Sequence, residues 1–329
     1  MLSSLRGVLH PERYHGHDRR PPFFEGWYYK LVDATEQHKY AIIPGIFLSD
    51  DPTKHHAFVQ VLNGTTGAVS YHVYDAGEFW AGQDDFVVRI GPNEFDAGRI
   101  CLAFPGQSGA VEGEVSFRHR VPWPVTLSSP GVMGWYAWTP GMECYHGVVS
   151  LDPTLAGSLV VDGKETDFTG GRGYIEKDWG KSFPAAYVWM QTNHFQTPGV
   201  CLTASIAVIP WLRSAFPGFI IGLWHDGHLY RFATYTGART EHLEIADEHV
   251  SWVVGDRHHR LEMNALRAEG GLLYGPTRQE MHKRVDETMN ASVSVTLRQR
   301  NGSLLFQETG RHAGMEVQGD LARLLALQK

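Results

Sequence analysis

Cysteine is scarce in this sequence of 329 residues, which bears on where the protein works. The three cysteines, Cys101, Cys144 and Cys201, lie far apart, and none forms a CxxC pair. An odd number of scattered cysteines does not make a disulfide framework, which favours a reducing compartment. Residues 1–20 contain no apolar segment of the kind that marks a secretory signal. We therefore expect a cytoplasmic protein.

Basic residues and motifs for metals or cofactors are also lacking. Lys and Arg number 29 against 36 Asp and Glu, so we expect no nucleic-acid partner. No HExxH and no Cys/His spacing typical of zinc occurs in the chain. The glycine-rich segment GGRGYIEKDWG lacks the strand-to-helix pattern of a dinucleotide site, and GxSxG is absent. The sequence thus predicts no metal and no cofactor.

No uninterrupted apolar run is long enough to span a membrane. The most apolar stretch, residues 200–224, is broken by two prolines and an arginine, whereas a spanning helix needs about 20 mostly apolar residues. We interpret it as two strands joined by an apolar loop, residues 210–219. Trp211, Leu212 and Phe216 of that loop suit peripheral contact with a membrane, but packing against the protein's own surface is favoured, because apolar loop residues are commonly buried. No obligate protein partner is inferred.

Short runs rich in β-branched and aromatic residues fill the chain between frequent glycines and prolines, which predicts an all-β fold. Asp226-Gly227 and Asn301-Gly302 stand between strand-like runs and predict tight hairpins. Only residues 320–328 show helical periodicity, with Asp320 as a candidate cap. We predict two antiparallel β domains, residues 1–155 and 156–329, each closed so that edges are removed.

The segment GYIEKDWG, residues 173–180, contains the first candidate acids. In an extended strand Glu176 and Asp178 share one face. Two neighbouring carboxylates repel when both are ionised, so one tends to keep its proton and can act as a general acid. The alternative is a loop in which exposed acids pair with Lys177 and Arg172.

The next run, AYVWMQTNHF, predicts a strand that places Trp189, Gln191 and Asn193 on one face. Aromatic side chains with a few amides are typical of a ligand cavity. A core strand whose amides bind neighbouring backbone is the alternative.

Two further segments place acids among aromatic residues. PPFFEGWYYKL surrounds Glu25 with rings that include Trp27 and Tyr28, and MGWYAWTPGMECYHG carries Glu143 and His146 after three aromatics. Charged side chains rarely enter apolar surroundings without a partner or a task. The recurrence favours one pocket assembled from both halves of the chain.

These blocks, FFEGWYYK, GWYAWTPGMECYHG and GYIEKDWGKSFPAAYVWMQTNHF, resemble the signature segments of the tocopherol cyclase family. The family is similar in fold to carotenoid 1,2-hydratases and lipocalin-like proteins. The resemblance therefore implies two lipocalin-like antiparallel β-barrel domains with a short C-terminal helix. The plant enzymes carry a plastid-targeting extension that is not seen here, so we expect a bacterial relative.

The resemblance also implies a reaction, the acid-catalysed closure of a prenylated hydroquinol or related terpenoid to a chromanol. An acid protonates the alkene of the tail, and the ring hydroxyl captures the resulting cation without any cofactor. We expect Asp178 to donate the proton, Glu176 to help hold it, and Glu143 to be the competing acid. The residues expected to bind the hydrophobic substrate are Trp27, Tyr28, His146, Trp179, Trp189, Gln191 and Asn193.

Two other functions remain open at this point. In an alkene hydratase of the carotenoid 1,2-hydratase kind, water replaces the ring hydroxyl. In a lipocalin-like carrier, a prenyl lipid is bound without turnover.

Overall fold

A computed structural model describes residues 7–104, 109–211 and 213–328. They form two antiparallel sheets and a C-terminal helix, Leu321–Ala326. This confirms the all-β class and the short helix. The Asp320 side chain accepts a hydrogen bond from the Arg323 amide at 3.0 Å, as expected of a helix cap. None of the described helices is long and apolar enough to cross a bilayer.

Two compact units divide the chain. The first comprises Met1–Phe183 and Gly271–Arg284, and the second comprises Pro184–Gly270 and Val285–Lys329. Residue 155, the predicted domain boundary, lies within a strand of the first unit. The assignment of folding domains 1–155 and 156–329 stays a prediction.

The first sheet contains thirteen strands, and its order begins at β4, passes through β1 and β13, and ends at β5. The strands are β1 Phe23–Val32, β2 Lys39–Leu48, β3 His56–Asn63, β4 Val69–Asp75, β5 Phe79–Ala81, β6 Val87–Ile90, β7 Asn93–Asp96, β8 Arg99–Phe104, β9 Val111–Arg118, β10 Cys144–Ser150, β11 Thr154–Val161, β12 Lys164–Asp167 and β13 Arg172–Gly180. Short 3-10 helices lie at Pro52–Lys54, Ala76–Glu78 and Gly134–Trp138.

The second sheet contains ten strands and runs from β17 through β14 and β23 to β18. Its strands are β14 Ala186–Thr192, β15 Cys201–Trp211, β16 Ser214–His225, β17 His228–Ala233, β18 Arg239–Ile245, β19 His249–Gly255, β20 His259–Leu266, β21 Gly271–Pro276, β22 Met281–Gln299 and β23 Leu304–Gly319. A 3-10 helix lies at Thr234–Thr236.

The predicted hairpins are confirmed. Asp226 and Gly227, with φ of 51° and 71°, connect β16 to β17, and Gly302 turns the chain between β22 and β23 with φ of 94°. Only residues 212 and 213 lie between β15 and β16. The expected apolar loop at residues 210–219 is therefore wrong in extent: most of it is strand. Leu212 lies outside the described residues.

The sheets are open, which corrects the expectation of closed barrels. Within the described ranges the end strands of each sheet, β4 and β5 or β17 and β18, do not pair. β5 has only three residues, and a short edge strand offers little backbone for unwanted pairing, so closure is not needed to protect it.

Each unit has its own apolar core. In the first unit the core lies on the face of β1 that carries Trp27, Tyr29 and Leu31. In the second it includes Val188 and Met190 of β14. Because side chains alternate along a strand, β1 and β13 leave a second face outside the core of the first unit.

Candidate active site

β13 lies between β1 and β10, and its register with both strands places the candidate acids. Asp178 is opposite His146 of β10 and Gly26 of β1, and Glu176 is opposite Tyr28. Residues opposite each other in an antiparallel ladder share a face. Glu176, Asp178, His146 and Tyr28 therefore lie together on the face that the core does not use, as the predicted alternation required.

His146 stands between the two carboxylates. Its Nδ1 donates a hydrogen bond to Asp178 Oδ1 at 2.9 Å, and its Nε2 lies 3.5 Å from Glu176 Oε2. Tyr174 donates its hydroxyl to the same Glu176 oxygen at 2.6 Å. We call His146, Glu176 and Asp178 the acid triad.

The charge state of the acid triad follows from these contacts. Burial alone would lower the pKa of His146, but the carboxylates of Glu176 and Asp178 outweigh it and raise that pKa to about 9. The ring is therefore an imidazolium at neutral pH. Sequence reasoning expected mutual repulsion to keep a proton on one carboxyl group; a histidine cation between the carboxylates relieves that repulsion.

The members of the acid triad differ in their access to solvent. The side chain of Asp178 is 31% exposed, against 13% for His146 and 6% for Glu176. Asp178 is thus the member that a bound molecule can reach. Burial, together with the charges of Asp178 and Glu143, raises the pKa of the neighbouring Cys144 thiol, which keeps it protonated.

A row of paired residues leads from the acid triad across three further strands. Asp178 is opposite Gly26, Gly26 is opposite Gly45, and Gly45 is opposite Phe58. The two glycines place no side chain beside Asp178. The Phe58 ring lies over Gly45, where an added Cβ would fall 2.5 Å from Phe58 Cζ. An apolar ring thus approaches the acid across a floor of bare backbone.

Further aromatic residues on this face extend the apolar wall. Phe58 packs with Phe24 and Phe47, and its ring stacks on Tyr71 with centroids 5.3 Å apart. Tyr71 in turn stacks on Tyr274 at 4.2 Å. Sequence reasoning missed Phe47, Phe58 and Tyr71.

Tyr274 belongs to the segment Gly271–Arg284, which groups with the first unit. Gln60 anchors this segment, because its Oε1 accepts from the Tyr274 amide at 2.7 Å and its Nε2 donates to the Tyr274 carbonyl at 3.3 Å. The wall beside the acid triad is therefore built from residues far apart in the chain.

The opposite face of β1 and β13 holds two of the predicted substrate-binding residues, Trp27 and Trp179. They do not contact the acid triad but enclose Lys177, whose Nζ lies 4.6 Å and 4.8 Å from their ring centroids. Lys177 forms an ion pair with Glu25, and both side chains are fully buried. The expectation that these two indoles lie beside the acids is wrong, because strand alternation turns them to the other side.

Glu143 lies just before β10, and its Oε1 accepts a hydrogen bond from the Ser182 hydroxyl at 3.0 Å. It does not join the acid triad. Its role as the competing acid stays a prediction.

Trp189, Gln191 and Asn193 belong to the second unit and are buried. Gln191 donates to Cys201 Sγ at 3.6 Å, and Trp189 is opposite Glu316 of β23. Their part in ligand binding also stays a prediction.

The acid triad also offers three atoms of the kind that bind metals, all within 4.8 Å of one another. A protonated imidazole has no free lone pair, so an ion would have to displace the proton that His146 shares with Asp178. The geometry therefore favours a proton site, and the expected absence of a metal stays a prediction.

These observations define an all-β protein with two open antiparallel sheets and a partly buried acid site. Residues 98–319 match the model of the tocopherol cyclase-like family, and the chain belongs to that family. It is 22% identical to "Tocopherol cyclase, chloroplastic" of Zea mays, over 93% of this chain and 77% of that protein. It is 24% identical to "Probable tocopherol cyclase, chloroplastic" of Oryza sativa subsp. japonica, with the same shares covered.

Solved structures support the fold. The crystal structure of CghA with Sch210972 superposes with a TM-score of 0.55 at 14% identity, covering 91% of this chain and 89% of that one. At this identity the likeness concerns the fold alone. Membership of the tocopherol cyclase-like family indicates an enzyme, and it confirms the resemblance drawn from the three sequence blocks.

Proposed function

We propose that the protein cyclises a prenylated hydroquinol to a chromanol by protonating the alkene of its tail. The observation that carries the proposal is the acid triad, with Asp178 as its exposed end beside the glycine floor and the Phe58 ring. Membership of the tocopherol cyclase-like family supports this choice of substrate class.

Asp178 is the proton donor in this proposal. One carboxyl oxygen accepts from His146 Nδ1, and the other takes up a proton from outside the acid triad and delivers it to the less substituted alkene carbon. The carboxylate that remains lies against the His146 imidazolium. A fixed positive charge beside a developing negative charge stabilises the transition state without reorganisation.

Glu176 and Tyr174 maintain the charge on His146. The Glu176 carboxylate faces Nε2, and the Tyr174 hydroxyl holds that carboxylate in place. The imidazolium therefore keeps its proton while Asp178 gives up and regains its own.

The tertiary cation forms on the glycine floor between Asp178 and the Phe58 ring. A cation over an aromatic face gains about 0.5–2 kcal/mol per contact. The ring hydroxyl oxygen then bonds to that carbon, and its released proton restores Asp178. The reaction is therefore an isomerisation and consumes no oxidant or reductant.

The test is turnover of a phytyl-substituted hydroquinol and shorter-tailed analogues in D₂O, followed by chromatography and mass spectrometry. The product should carry one carbon-bound deuterium in the former tail and should otherwise have the same mass as the substrate. Asp178→Asn should lower kcat by about 10²–10⁴-fold, the usual contribution of a general acid. Asp167→Asn, at an exposed aspartate of β12 in the same unit, is the matched control.

Two outcomes would replace the proposal. A product heavier by one water would identify a hydratase, for which the exposure of Asp178 leaves room. Tight binding of the quinol with no product would identify a carrier.

A further inference from the structure

The connection between β9 and β10, residues 119–143, leads directly into the strand that carries His146. Residues 121–142 of this connection contain no Asp, Glu, Lys, Arg or His. They do contain three tryptophans, Trp123, Trp135 and Trp138. Connections of this length are uncommon in compact domains. We call residues 121–142 the uncharged loop.

The uncharged loop exposes large apolar side chains. Leu127 is 74% exposed, Trp135 46% and Val125 38%. Three such groups in one connection form a patch, whereas single exposed apolar residues are ordinary.

The structure of the loop fixes these side chains outward. Thr126 and Ser129 exchange backbone hydrogen bonds of 3.1 Å and 3.2 Å, so Leu127 lies in a tight turn. Trp138 Nε1 donates to the Leu127 carbonyl at 3.1 Å, which ties this turn to the 3-10 helix Gly134–Trp138. These hydrogen bonds therefore hold the turn and the 3-10 helix in the conformation that exposes Leu127 and Trp135.

Other residues anchor the uncharged loop. Trp123 and Val132 are 3% and 2% exposed and hold it to the unit. Buried anchors with outward apolar groups differ from a loop that simply packs on its own protein, in which the largest side chains would turn inward.

Positive charge precedes the uncharged loop, and Glu143 follows it. Arg118 and Arg120, at the end of β9 and just beyond it, are exposed. Exposed Trp and Leu close in sequence to arginines match the chemistry of a bilayer interface, where aromatic rings lie at headgroup depth and cations meet anionic headgroups.

We propose that the uncharged loop docks the protein on an anionic lipid surface. The proposal goes beyond the reaction, and it rests on the proposed function only in that a prenylated quinol is itself dissolved in lipid. Docking through a connection that continues into β10 brings the acid triad to the phase that holds such a substrate.

The experiment is co-sedimentation of the full chain with phosphatidylcholine vesicles, with and without phosphatidylserine. Leu127→Ser/Trp135→Ser should lower the partition coefficient by roughly 10-fold or more, because two apolar side chains leave the interface. Arg118→Gln/Arg120→Gln should remove most of the dependence on phosphatidylserine, with roughly 5-fold lost per arginine.

Trp80→Ser is the matched control, because Trp80 is 49% exposed on β5 of the same unit and lies under the Arg89 guanidinium. It should leave partitioning unchanged. Far-ultraviolet circular dichroism of every variant checks that the fold is kept.

The proposal is overturned if the wild-type chain does not bind the phosphatidylserine vesicles, or if Leu127→Ser/Trp135→Ser binds them as well as wild type does. If Trp211→Ser loses binding while Leu127→Ser/Trp135→Ser keeps it, the proposal is also overturned. The membrane contact would then lie at residues 210–219, as the sequence suggested.

Vesicle binding needs no turnover, so the two proposals fail separately. Binding without any conversion of quinol would leave the docking surface standing and remove the cyclase. If both hold, Leu127→Ser/Trp135→Ser should slow turnover of vesicle-embedded quinol and spare that of a detergent-dispersed short-tailed analogue.

Discussion

The two faces of β13 carry two different polar clusters, although their residues alternate along one strand. One face holds the acid triad, whose Asp178 is partly exposed. The other holds the buried ion pair of Lys177 and Glu25, which lies between two indole rings. Both clusters combine a cation with carboxylates, and both contain a histidine.

The difference lies in how completely each charge is satisfied. Lys177 donates to Glu25 and to the Arg13 carbonyl, and its Nζ also lies 3.1 Å from Nδ1 of His15. Burial would raise the pKa of Glu25, but Lys177 and His15 outweigh it and lower that pKa. The pair has no capacity left for a ligand. Asp178 of the acid triad is instead 31% exposed, so a substrate can reach it for proton transfer.

The largest expected effect comes from breaking the buried ion pair of Lys177 and Glu25. Lys177→Met should cost about 3–5 kcal/mol of unfolding free energy, because it leaves the Glu25 charge buried and unpaired. Chemical denaturation at neutral pH measures this loss. Adding Glu25→Gln to Lys177→Met should recover part of it, since the buried charge is then gone.

Lys54→Met is the control for that experiment. Lys54 lies 3.2 Å from Glu280 in the same unit, but both side chains are largely exposed, so the loss should be under about 1 kcal/mol. Equal losses of unfolding free energy in Lys177→Met and Lys54→Met would contradict a structural role for the buried ion pair of Lys177 and Glu25.

The acid triad should reveal itself through pH. The pKa of His146 is raised above its unfolded value, so its stabilising contribution is complete below about pH 6.5 and is lost as pH rises to about 9. The shift corresponds to a contribution on the order of 3 kcal/mol. The unfolding free energy of wild type should therefore fall over this range relative to that of His146→Gln.

Parallel pH curves for wild type and His146→Gln would contradict the charge state assigned to the acid triad. If His146→Gln does not fold, titration of the imidazole signal of wild type by NMR gives the same answer. A midpoint near 6.5 would mean that Glu176 and Asp178 do not hold a cation between them.

Sequence alone could predict the local half of this comparison. Alternation in GYIEKDWG placed Glu176 and Asp178 on one face and Trp179 on the other, because it depends only on the strand's own geometry. The same rule separates Trp27 from Tyr28. Grouping the indoles with the acids by composition overrode the alternation and failed.

The other half depends on register between distant strands. His146 meets Asp178 only because β10 pairs with β13 at one particular offset, and a shift of one residue would turn it away. Phe58 and Tyr71 lie three and four strands from β13, so no local pattern connects them to the acid. In HAFVQVL, alternation places Phe58 on the face opposite Ala57 and Val59, which belong to the core. It does not predict which residues Phe58 contacts.

The smallest expected effect concerns the glycine floor. An alanine Cβ at Gly26 would meet nothing closer than 3.6 Å, whereas one at Gly45 would meet Phe58 Cζ at 2.5 Å and the Glu25 carbonyl at 2.7 Å. Gly45→Ala should therefore lose about 1–3 kcal/mol of stability through overpacking.

Gly26→Ala should keep its stability and place a methyl group beside Asp178. There the methyl group should raise KM roughly 10-fold, since one misplaced methyl in an apolar pocket costs about 1–3 kcal/mol of binding. Steady-state kinetics with thermal melts measure both, with Gly77→Ala, whose added Cβ meets nothing within 4 Å, as the control. An unchanged KM in Gly26→Ala would mean that the substrate does not cross the floor between Asp178 and Phe58.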